Sequence, residues 1–390
     1  MEAEPPAREH DYSAPFSLTS NDHELMFFPG GEQRLDALLG LIEDAQKSLR
    51  VLYYMFQDDD AGKVVLDALV AAARRGVDVR LVIDRFGSDA EEEFFDPLVE
   101  AGGSFALFNP KRNRRYLIRN HQKMLIVDEK TAMVGGFNIS EHYFKPPEEN
   151  GWCDLGVCVT GAVVGDLVRW FDQVHDWASS PNAQYRAIRT MVRDWEPGDG
   201  NVQLLVGGPT RIPSNWARQV KRDFIDAERL DLAMAYFSPP RSFRRLIRRI
   251  AERGKVRLVM AAKSDNGATI GASRALYGQF LRSGAQIFEF QPSKLHMKLL
   301  VVDEKSYFGS ANFDHRSIRI NLELMLRFED PGLAKRLRQL VDEMEEASRP
   351  ITREVHRRRG TLVARVQWWL GWVLVSTLDY TVTRRLNAGL

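Results

Sequence analysis

The sequence predicts an α/β fold made of two similar halves, each a mixed β-sheet flanked by helices. Helical and strand-like segments alternate along the chain, and their order in residues 25–195 returns in residues 201–350. One short motif also occurs once in each half, 175 residues apart. A chain of 390 residues is long enough for two domains. We therefore expect duplicated domains packed around a pseudo-twofold axis, with one active site shared between them.

The first half opens with a predicted amphipathic helix over residues 33–48, where apolar residues recur with helical spacing. These residues are Leu35, Leu38, Leu39, Ile42 and Ala45. A strand follows over residues 49–56, and a second helix over residues 61–75. The second helix ends before Gly76, a residue type that suits the position after a helix. Residues 77–83 alternate in the manner of the next strand.

The second half repeats this order of elements. A helix is predicted near residues 215–228, a strand over 230–237, a basic helix ending at Arg253, and a strand over 256–260. Gly254 follows the basic helix as Gly76 follows its counterpart. A repeat of this length is far too long for a solenoid, so it indicates a duplicated domain.

Three segments lie outside the predicted repeats. Residues 1–24 are polar and rich in proline, which predicts a flexible tail without a signal peptide. Proline and glycine cluster at residues 196–201, where we expect the linker between the halves. Residues 351–390 form a separate C-terminal segment that is basic and rich in tryptophan.

Each half carries the pattern His-x-Lys-x4-Asp. The first copy comprises His121, Lys123 and Asp128, and the second comprises His296, Lys298 and Asp303. Because alternate residues of a strand share a face, the histidine and lysine of each copy should point the same way. The aspartate has the opposite parity, so we expect it to fix the turn after the strand rather than contact substrate.

A turn of small residues and a carboxylate follow each motif. The turn residues are Gly136 and Asn138 in the first half and Ser310 and Asn312 in the second. Small residues let an anion approach the backbone, and an asparagine amide can donate a hydrogen bond to it. The carboxylates are Asp154 and Glu323, predicted on the next strand. We expect each to accept the Nδ1 proton of the histidine in its own half, which would fix the tautomer.

Joining the halves would bring together two imidazoles, two ammonium groups and two amides. Such a site suits a phosphodiester, whose non-bridging oxygens need several fixed donors. One histidine would attack phosphorus and form a covalent intermediate. The other would protonate the leaving alcohol and then deprotonate the incoming alcohol or water. These side chains suffice for the reaction and no carboxylate cluster suggests Mg²⁺, so we expect neither a metal nor a cofactor.

The paired motifs resemble those of the phospholipase D superfamily, over roughly residues 25–345. Within that superfamily the chain is most similar to bacterial cardiolipin synthases. The segments that carry the likeness are residues 28–32, 53–59, 73–77, 135–138, 309–317 and 321–323. In related enzymes the N-terminal histidine is usually the nucleophile, so the resemblance assigns that role to His121 and general acid and base catalysis to His296.

The resemblance implies transfer of a phosphatidyl group to phosphatidylglycerol, giving cardiolipin and a small alcohol. A hydrolase with the same site is the alternative, acting on phospholipid or, less favoured, on nucleic acid. A nuclease would need a basic channel with stacking aromatic residues. Residues 1–350 instead carry a net charge of −4, because the chain is +1 and residues 351–390 contribute +5. We therefore expect no nucleic-acid partner, and intact motifs disfavour a non-catalytic lipid-binding scaffold.

The C-terminal segment predicts membrane contact. Residues 366–378 are nearly all apolar and include three tryptophans, with arginines on both sides. Thirteen residues cannot span the ~30 Å of hydrocarbon in a bilayer. Flanking arginines and clustered tryptophans are typical instead of an amphipathic segment in the interface of an anionic bilayer. The alternative is a helix docked on the chain's own core.

These patterns also predict partners and location. We expect an anionic phospholipid, phosphatidylglycerol, and a membrane surface as the partners. Two cysteines, Cys153 and Cys158, exclude a disulfide framework and suit a reducing compartment. We therefore expect a cytoplasmic protein that is peripheral on the inner face of the cell membrane.

Overall fold

The computed structural model of the 390-residue chain describes residues 14–110, 118–181, 183–264 and 266–378. Within these ranges the chain forms two halves, each built around an eight-stranded mixed sheet. The first sheet contains β1 (Phe16–Ser20), β2 (His23–Phe28), β3 (Ser48–Tyr53), β4 (Asp78–Asp84), β5 (Ser104–Phe108), β6 (Met124–Val127), β7 (Thr131–Gly135) and β8 (Gly156–Thr160). Its strands lie in the order β1-β2-β8-β7-β6-β3-β4-β5.

The second sheet contains β9 (Val202–Gly207), β10 (Arg229–Met234), β11 (Lys255–Ala261), β12 (Gln286–Phe290), β13 (Lys298–Val302), β14 (Lys305–Gly309), β15 (Glu323–Glu329) and β16 (Ser348–Pro350). Its strand order is β16-β12-β11-β10-β13-β14-β15-β9. Seven strands of each sheet correspond in order and in the sense of their pairing, and β1 and β16 are additional edge strands. The correspondence confirms the predicted duplication of a mixed α/β domain.

Helices cover both sheets. Those of the first half are α1 (Gly31–Asp44), α2 (Asp60–Arg74), α3 (Asp96–Glu100), α4 (Val163–Ser179) and α5 (Tyr185–Asp194). Those of the second half are α6 (Asn215–Ile225), α7 (Arg241–Arg253), α8 (Gly267–Arg282), α9 (His315–Arg319) and α10 (Pro331–Glu346). Two further helices follow, α11 (Arg353–Arg359) and α12 (Leu362–Trp372), and the helical turn Val373–Leu378 continues from α12.

The hydrophobic core is continuous between the halves. One large cluster of buried side chains contains α4, α10 and the inner faces of both sheets. Two separate clusters lie on the outer faces, one beneath α1 and α2 and the other beneath α6, α7 and α8. Phe27 of β2 meets Phe308 of β14 edge to face, with 5.6 Å between ring centroids. The halves therefore bury their inner faces against each other.

The ends of α2 illustrate why the predicted helices form. Asp59 caps the N-terminus by accepting a hydrogen bond from the backbone N–H of Gly62 at 2.9 Å. The helix ends at Arg74, and Gly76 adopts a φ of +89°, in the left-handed region that favours glycine after a helix. In the second half α7 likewise ends at Arg253, before Gly254.

The sequence prediction is wrong about the start of the first half. A flexible tail was expected up to residue 24, but β1 pairs with β2 along its whole length. The Phe16 ring stacks on Phe27 at 4.8 Å, and the Arg336 guanidinium of α10 lies 3.7 Å from the centroid of the Phe16 ring. The side chains of β1 alternate between exposed and less exposed positions, and the Phe16 ring is covered by an aromatic ring and a guanidinium group. Residues 1–13 of the predicted tail lie outside the described residues.

The C-terminal segment packs on the protein through one face of α12. Gly371 approaches α8 so closely that an added Cβ would lie 2.8 Å from the carbonyl oxygen of Ala268. The opposite face is apolar and exposed. Among the residues described, no helix combines the length and apolar character needed to cross a bilayer. Residues 379–390 of this segment lie outside the described residues.

Candidate active site

The two motifs lie at corresponding hairpins, β6–β7 and β13–β14. Asp128 adopts a φ of +51° in the first hairpin turn and accepts hydrogen bonds from the backbone N–H groups of Lys47 and Ser48 at 2.7 and 2.9 Å. Asp303 adopts a φ of +47° and accepts one from Arg229 at 2.9 Å. Each aspartate therefore ties its turn to the start of the adjacent antiparallel strand, β3 or β10, and neither has a hydrogen bond to a motif histidine.

The histidines precede the strands in which the sequence analysis placed them. β6 begins at Met124 and β13 at Lys298, so His121 and His296 lie in extended chain just before each strand. Both segments pair across the halves instead. The His121 N–H donates to the Leu322 carbonyl at 2.9 Å, and the His296 N–H donates to the Cys153 carbonyl at 2.7 Å. Isolated β-bridges pair the preceding residues, Asn120 with Leu322 and Leu295 with Cys153. Each histidine is thereby placed beside the carboxylate residue that comes next, Glu323 or Asp154.

The carboxylates consequently pair with the histidines of the opposite halves. Glu323 Oε2 lies 3.1 Å from His121 Nδ1, and Asp154 Oδ2 lies 2.7 Å from His296 Nδ1. The expectation that each carboxylate serves its own half is wrong. The physical reason is that the segments pair by backbone hydrogen bonds between the halves. Because Leu322 precedes Glu323 and Cys153 precedes Asp154, this pairing places each carboxylate beside the histidine of the other half. Both carboxylates are fully buried.

Each lysine lies beside the histidine of its own motif. Lys123 Nζ donates to the backbone carbonyl of His121 at 2.6 Å. Lys298 Nζ lies 2.7 Å from Nδ1 and 3.1 Å from Nε2 of the His296 ring. The charge of each lysine also acts on the histidine of the opposite half. All four side chains therefore belong to one shared site.

Burial controls the protonation of this site. Desolvation lowers the pKa of His121 to about 4, although the Glu323 carboxylate opposes that shift. Desolvation, with the positive charge of Lys298, likewise lowers the pKa of His296 to about 4. Desolvation also holds the pKa of Lys123 well below its usual range. For Asp154 burial opposes ionisation, but Lys298 and the hydrogen bond from His296 lower its pKa. Both imidazoles are thus neutral at pH 7 without substrate.

The small residues make room for the internal carboxylates. A Cβ added to Gly136 would lie 2.6 Å from Oδ1 of Asp154 and 2.8 Å from Cδ of Lys298. The hydroxyl of Ser310 donates to Glu323 Oε2 at 2.5 Å. The sequence predicts contact between these residues and the substrate anion. The structure instead places them against the carboxylates, because the crossed pairing brings those groups under the turns.

The two asparagines differ in their partners. Asn138 is buried, and its Nδ2 donates to the hydroxyl of Tyr143 at 2.9 Å. Asn312 is also buried, and its Oδ1 has no hydrogen-bond partner among the described residues. Both amides were expected to donate to the substrate. The unpartnered atom of Asn312 is an acceptor, so its lack of a partner is not itself evidence of a donor to an anion.

Sequence reasoning missed several groups that hold the site together. Arg34 is fully buried and donates to the carbonyl oxygens of Asp154 at 2.8 Å and Tyr143 at 2.7 Å. Asp84, at the end of β4, accepts from the N–H of Asn120 at 2.6 Å, and burial raises its pKa to about 6. Arg34 could have been found, because it falls on the apolar face of α1 at helical spacing from Leu38. No local pattern marks Asp84.

Aromatic rings surround both imidazoles. Tyr54 lies 4.9 Å from the His121 ring between centroids, and Tyr143, Trp152 and Tyr236 lie within 6.3 Å of the His296 ring. Tyr54 and Tyr236 follow β3 and β10, at the carboxyl ends of the parallel strands. The chain leaves each sheet earlier than predicted, at Tyr53 and Met234, and so delivers these rings to the site. These rings form part of the immediate surroundings of both imidazoles.

This arrangement can bind and cleave a phosphodiester. A buried carboxylate engages Nδ1 of each imidazole, and Lys298 Nζ also contacts both ring nitrogens of His296. With Nδ1 of His121 engaged, Nε2 of that ring is the nitrogen left for the substrate. Among the described residues, no group of three or more His, Cys, Asp or Glu side chains could hold a metal ion. A duplicated α/β fold with two carboxylate-paired histidines and two lysines in one shared site defines the phospholipase D-like class of enzymes.

The chain belongs to the family described as "Cardiolipin synthase, PLD-like domain", which matches residues 38–175 and 223–345. It is 30% identical over 358 residues to the major cardiolipin synthase ClsA of Bacillus subtilis, covering 88% of this chain and 73% of that protein. It is 29% identical over 360 residues to a cardiolipin synthase of Listeria monocytogenes, with the same coverage. The resemblance inferred from the motifs is therefore confirmed.

Solved structures share the fold. The phosphatidylserine synthase of Haemophilus influenzae superposes with a TM-score of 0.74 at 15% identity, covering 96% of this chain and 97% of that one. The polyphosphate kinase of Porphyromonas gingivalis gives a TM-score of 0.54 at 14% identity, covering 82% of this chain and 50% of that one. At these identities the likeness establishes the fold alone.

Proposed function

We propose that this protein makes cardiolipin by transferring a phosphatidyl group from one phosphatidylglycerol molecule to another, with release of glycerol. The observation that carries the proposal is the pair of carboxylate-oriented histidines in a chain of the cardiolipin synthase family. Relatives of about 30% identity over 88% of the chain carry the name cardiolipin synthase. The site geometry supports the class of reaction, and the relatives support the choice of substrate.

In the first step the neutral Nε2 of His121 attacks phosphorus, and the bond from phosphorus to the glycerol oxygen breaks. His296, in its protonated form, gives its proton to that oxygen, so glycerol leaves and a phosphatidyl-histidine remains. The low pKa of His296 makes it a strong acid once protonated. The arriving phosphodiester anion favours that protonation, because it replaces lost solvent with a negative charge.

In the second step a hydroxyl of another phosphatidylglycerol loses its proton to His296 and attacks the phosphohistidine. The bond from phosphorus to nitrogen breaks, cardiolipin forms, and His121 returns to its neutral state. Lys123, Lys298 and the amide of Asn312 supply donors to the non-bridging oxygens. Water in place of the hydroxyl would give phosphatidic acid, which is the hydrolase alternative.

The test of the reaction is incubation with phosphatidylglycerol vesicles, followed by quantification of cardiolipin, glycerol and phosphatidic acid. We expect cardiolipin and glycerol in equal amounts, and loss of both with His121→Ala or His296→Ala. Phosphatidic acid as the main product would establish the hydrolase instead. A His121→Ala variant that retained the wild-type rate would refute the site assignment.

The exposed face of α12 is proposed to contact the membrane. Six of the twelve large apolar side chains that are exposed in the described chain lie between residues 362 and 374. They are Leu362, Val363, Val366, Trp369, Leu370 and Leu374. Arginines 357–359 and Arg365 adjoin this face, and positive charge complements an anionic bilayer. The protein would therefore be peripheral on the inner face of the cell membrane.

The position of α12 suits delivery of lipid to the site. Gly371 packs on Ala268 at the start of α8, which follows the carboxyl end of β11. The adjacent parallel strand β10 leads directly to Tyr236, beside His296. The C-terminal end of α12 therefore lies at the same edge of the second sheet as the paired histidines.

A double substitution on the exposed face, Val366→Gln with Leu370→Gln, tests membrane contact. Full burial of one such side chain is worth about 1.5–3 kcal/mol, so partial burial of two predicts roughly tenfold or weaker vesicle binding. Flotation with phosphatidylglycerol vesicles measures this, and turnover of a soluble phosphodiester should not change. The control is Val64→Gln with Ile225→Gln, since these side chains are similarly exposed elsewhere. Equal flotation of both double variants would contradict the assignment.

A further inference from the structure

A basic cavity lies beside α12, where α7, α8, α11 and α12 meet. Its volume is about 640 Å³. Five arginines line it: Arg244, Arg282, Arg353, Arg357 and Arg365. None of the residues assigned to the active site contributes to its wall. The cavity is thus separate from the paired histidines.

No acidic side chain balances the arginines. The lining contains no Asp or Glu, and within the described ranges none of the five arginines forms an ion pair with a carboxylate. Glu289 lies nearby, but Arg274 and Arg359, which are not part of the wall, engage it at 2.8 Å each. Clustered like charges without counterions raise the energy of the folded chain, and a bound anion would remove that cost.

Two of the arginines, Arg353 and Arg244, contact neighbouring helices. Arg353 donates from Nε to the carbonyl oxygen of Leu281 at 3.1 Å, at the end of α8. The Arg244 guanidinium lies 5.9 Å from the ring centroid of Trp372, and its buried Nε has no hydrogen-bond partner among the described residues. Planar guanidinium groups with free N–H donors match the oxygens of a phosphate.

The tryptophans indicate that the phosphate belongs to a lipid. Trp368, Trp369 and Trp372 share the wall with the arginines. Trp369 is also 57% exposed, on the apolar face of α12. One side chain therefore borders both the cationic cavity and the face that would enter the bilayer. Tryptophan favours such positions, because its ring is apolar and its N–H is polar.

We propose that this cavity binds the phosphate group of an anionic phospholipid at a second, non-catalytic site, while the acyl chains lie along the exposed face of α12. The inference rests on the membrane contact proposed above. Occupancy would hold α12 in a fixed orientation on the bilayer and keep the paired histidines facing the lipid surface.

The test compares two double variants of the full chain that change the net charge equally. Arg357→Gln with Arg365→Gln removes two arginines from the wall. Arg245→Gln with Arg249→Gln removes two exposed arginines of the neighbouring helix α7 that lie outside the wall. Binding is followed by tryptophan fluorescence and flotation, with phosphatidylcholine vesicles that contain phosphatidylserine, an anionic lipid that is not the proposed substrate.

We expect the cavity variant to bind these vesicles roughly tenfold or more weakly than the wild type. The control variant should weaken by less than about threefold, because salt screens the longer-range attraction. Inorganic phosphate at millimolar concentration should leave the fluorescence unchanged. Equal weakening of both variants, or saturation of the fluorescence change by inorganic phosphate alone, would overturn the proposal.

The outcome is independent of the proposed reaction. Binding is measured without turnover, and both variants should turn over a soluble phosphodiester at the wild-type rate. If cardiolipin synthesis failed while the difference in binding remained, the lipid site would stand and the reaction would need reassignment. If synthesis succeeded and the variants bound alike, the second site alone would fall.

Discussion

At the scale of single residues, the main feature of the site is that each motif histidine pairs with a carboxylate from the opposite half. His121 pairs with Glu323, and His296 pairs with Asp154, so each imidazole takes its carboxylate from the opposite half. Glu323 accepts further hydrogen bonds from Ser310 and Ser317, at 2.5 and 2.8 Å. The carboxylate beside each motif histidine thus comes from a residue more than 140 positions away in sequence.

Glu323→Gln and Asp154→Asn should therefore affect different chemical steps. Replacing the carboxylate that orients a catalytic histidine costs about 10⁴-fold in a well-studied protease. With an aryl phosphodiester whose leaving group needs no proton, we expect Asp154→Asn to retain the initial burst of product. Glu323→Gln should lose it, because His121 would no longer present Nε2. Rapid-quench kinetics measures the burst.

Glu129→Gln is the matched control for these two carboxylate variants. Glu129 pairs with Arg50 at 2.8 Å on the surface, away from the histidines, so its variant should keep both steps. A burst that survives in Glu323→Gln and disappears in Asp154→Asn would exchange the roles assigned to the two histidines.

At the scale of secondary-structure elements, the small-residue turn after β7 determines how closely the two halves approach each other at the site. Gly136 brings the backbone of the first half against Asp154 and Lys298, so the turn is a contact between the halves. Its counterpart uses the Ser310 hydroxyl, which reaches the carboxylate by a hydrogen bond. Position 136 has no room for a side chain, whereas position 310 holds a short polar side chain that bonds to the carboxylate.

Gly136→Ala should disrupt the site without unfolding the protein. The new Cβ would displace the Asp154 carboxylate or the Lys298 side chain, and misplacement of catalytic groups by 1 Å can cost about 10²-fold in rate. Steady-state turnover of a soluble phosphodiester measures the effect. Wild-type turnover by this variant would show that the close contact is not required.

Gly165→Ala is the control for that substitution. Gly165 lies in α4, and nothing lies within 4 Å of an added Cβ. Alanine in a helix is more stable than glycine by roughly 0.5–1 kcal/mol. This variant should keep full activity and unfold at a slightly higher denaturant concentration.

At the scale of the whole molecule, burial of histidine side chains links the site to the stability of the fold. Burial lowers the pKa of His121, His296 and His315 to about 4. Each is neutral in the folded chain at a pH where the unfolded chain binds a proton. The contribution of these histidines to the free energy of unfolding should therefore be complete above pH 6.5 and decline as the pH falls towards 4.

Each of these histidines should contribute roughly 3 kcal/mol to that decline, the equivalent of a pKa shift from 6.5 to about 4. Urea unfolding at several pH values measures it. His121→Asn and His296→Asn should each flatten the dependence between pH 6.5 and 4. Between pH 7.5 and 8.5 the free energy of unfolding should change with pH equally in the wild type and both variants, because the imidazoles are neutral in the folded and the unfolded chain. An unchanged slope at low pH would contradict the burial of these groups.

The sequence alone predicted the paired motifs, the alternation of helices and strands, and the helix ends marked by glycine. Each of these features depends on residues that are close together in the chain. They sufficed to predict the duplicated α/β fold, the superfamily and the motif histidines and lysines. Arg34 was available in principle as a charge on an apolar helical face. Strand β1 was missed because its cover comes from α10, more than 300 residues away.

Only the tertiary structure decided which carboxylate serves which histidine, what the small-residue turns contact and where α12 rests. The backbone hydrogen bonds from His121 to Leu322 and from His296 to Cys153 form only when the two inner faces are buried together. Periodicity records which face of an element is apolar, but it holds no information about which distant segment covers that face. Local sequence therefore determined the parts of this enzyme, and burial between the halves determined how those parts are matched.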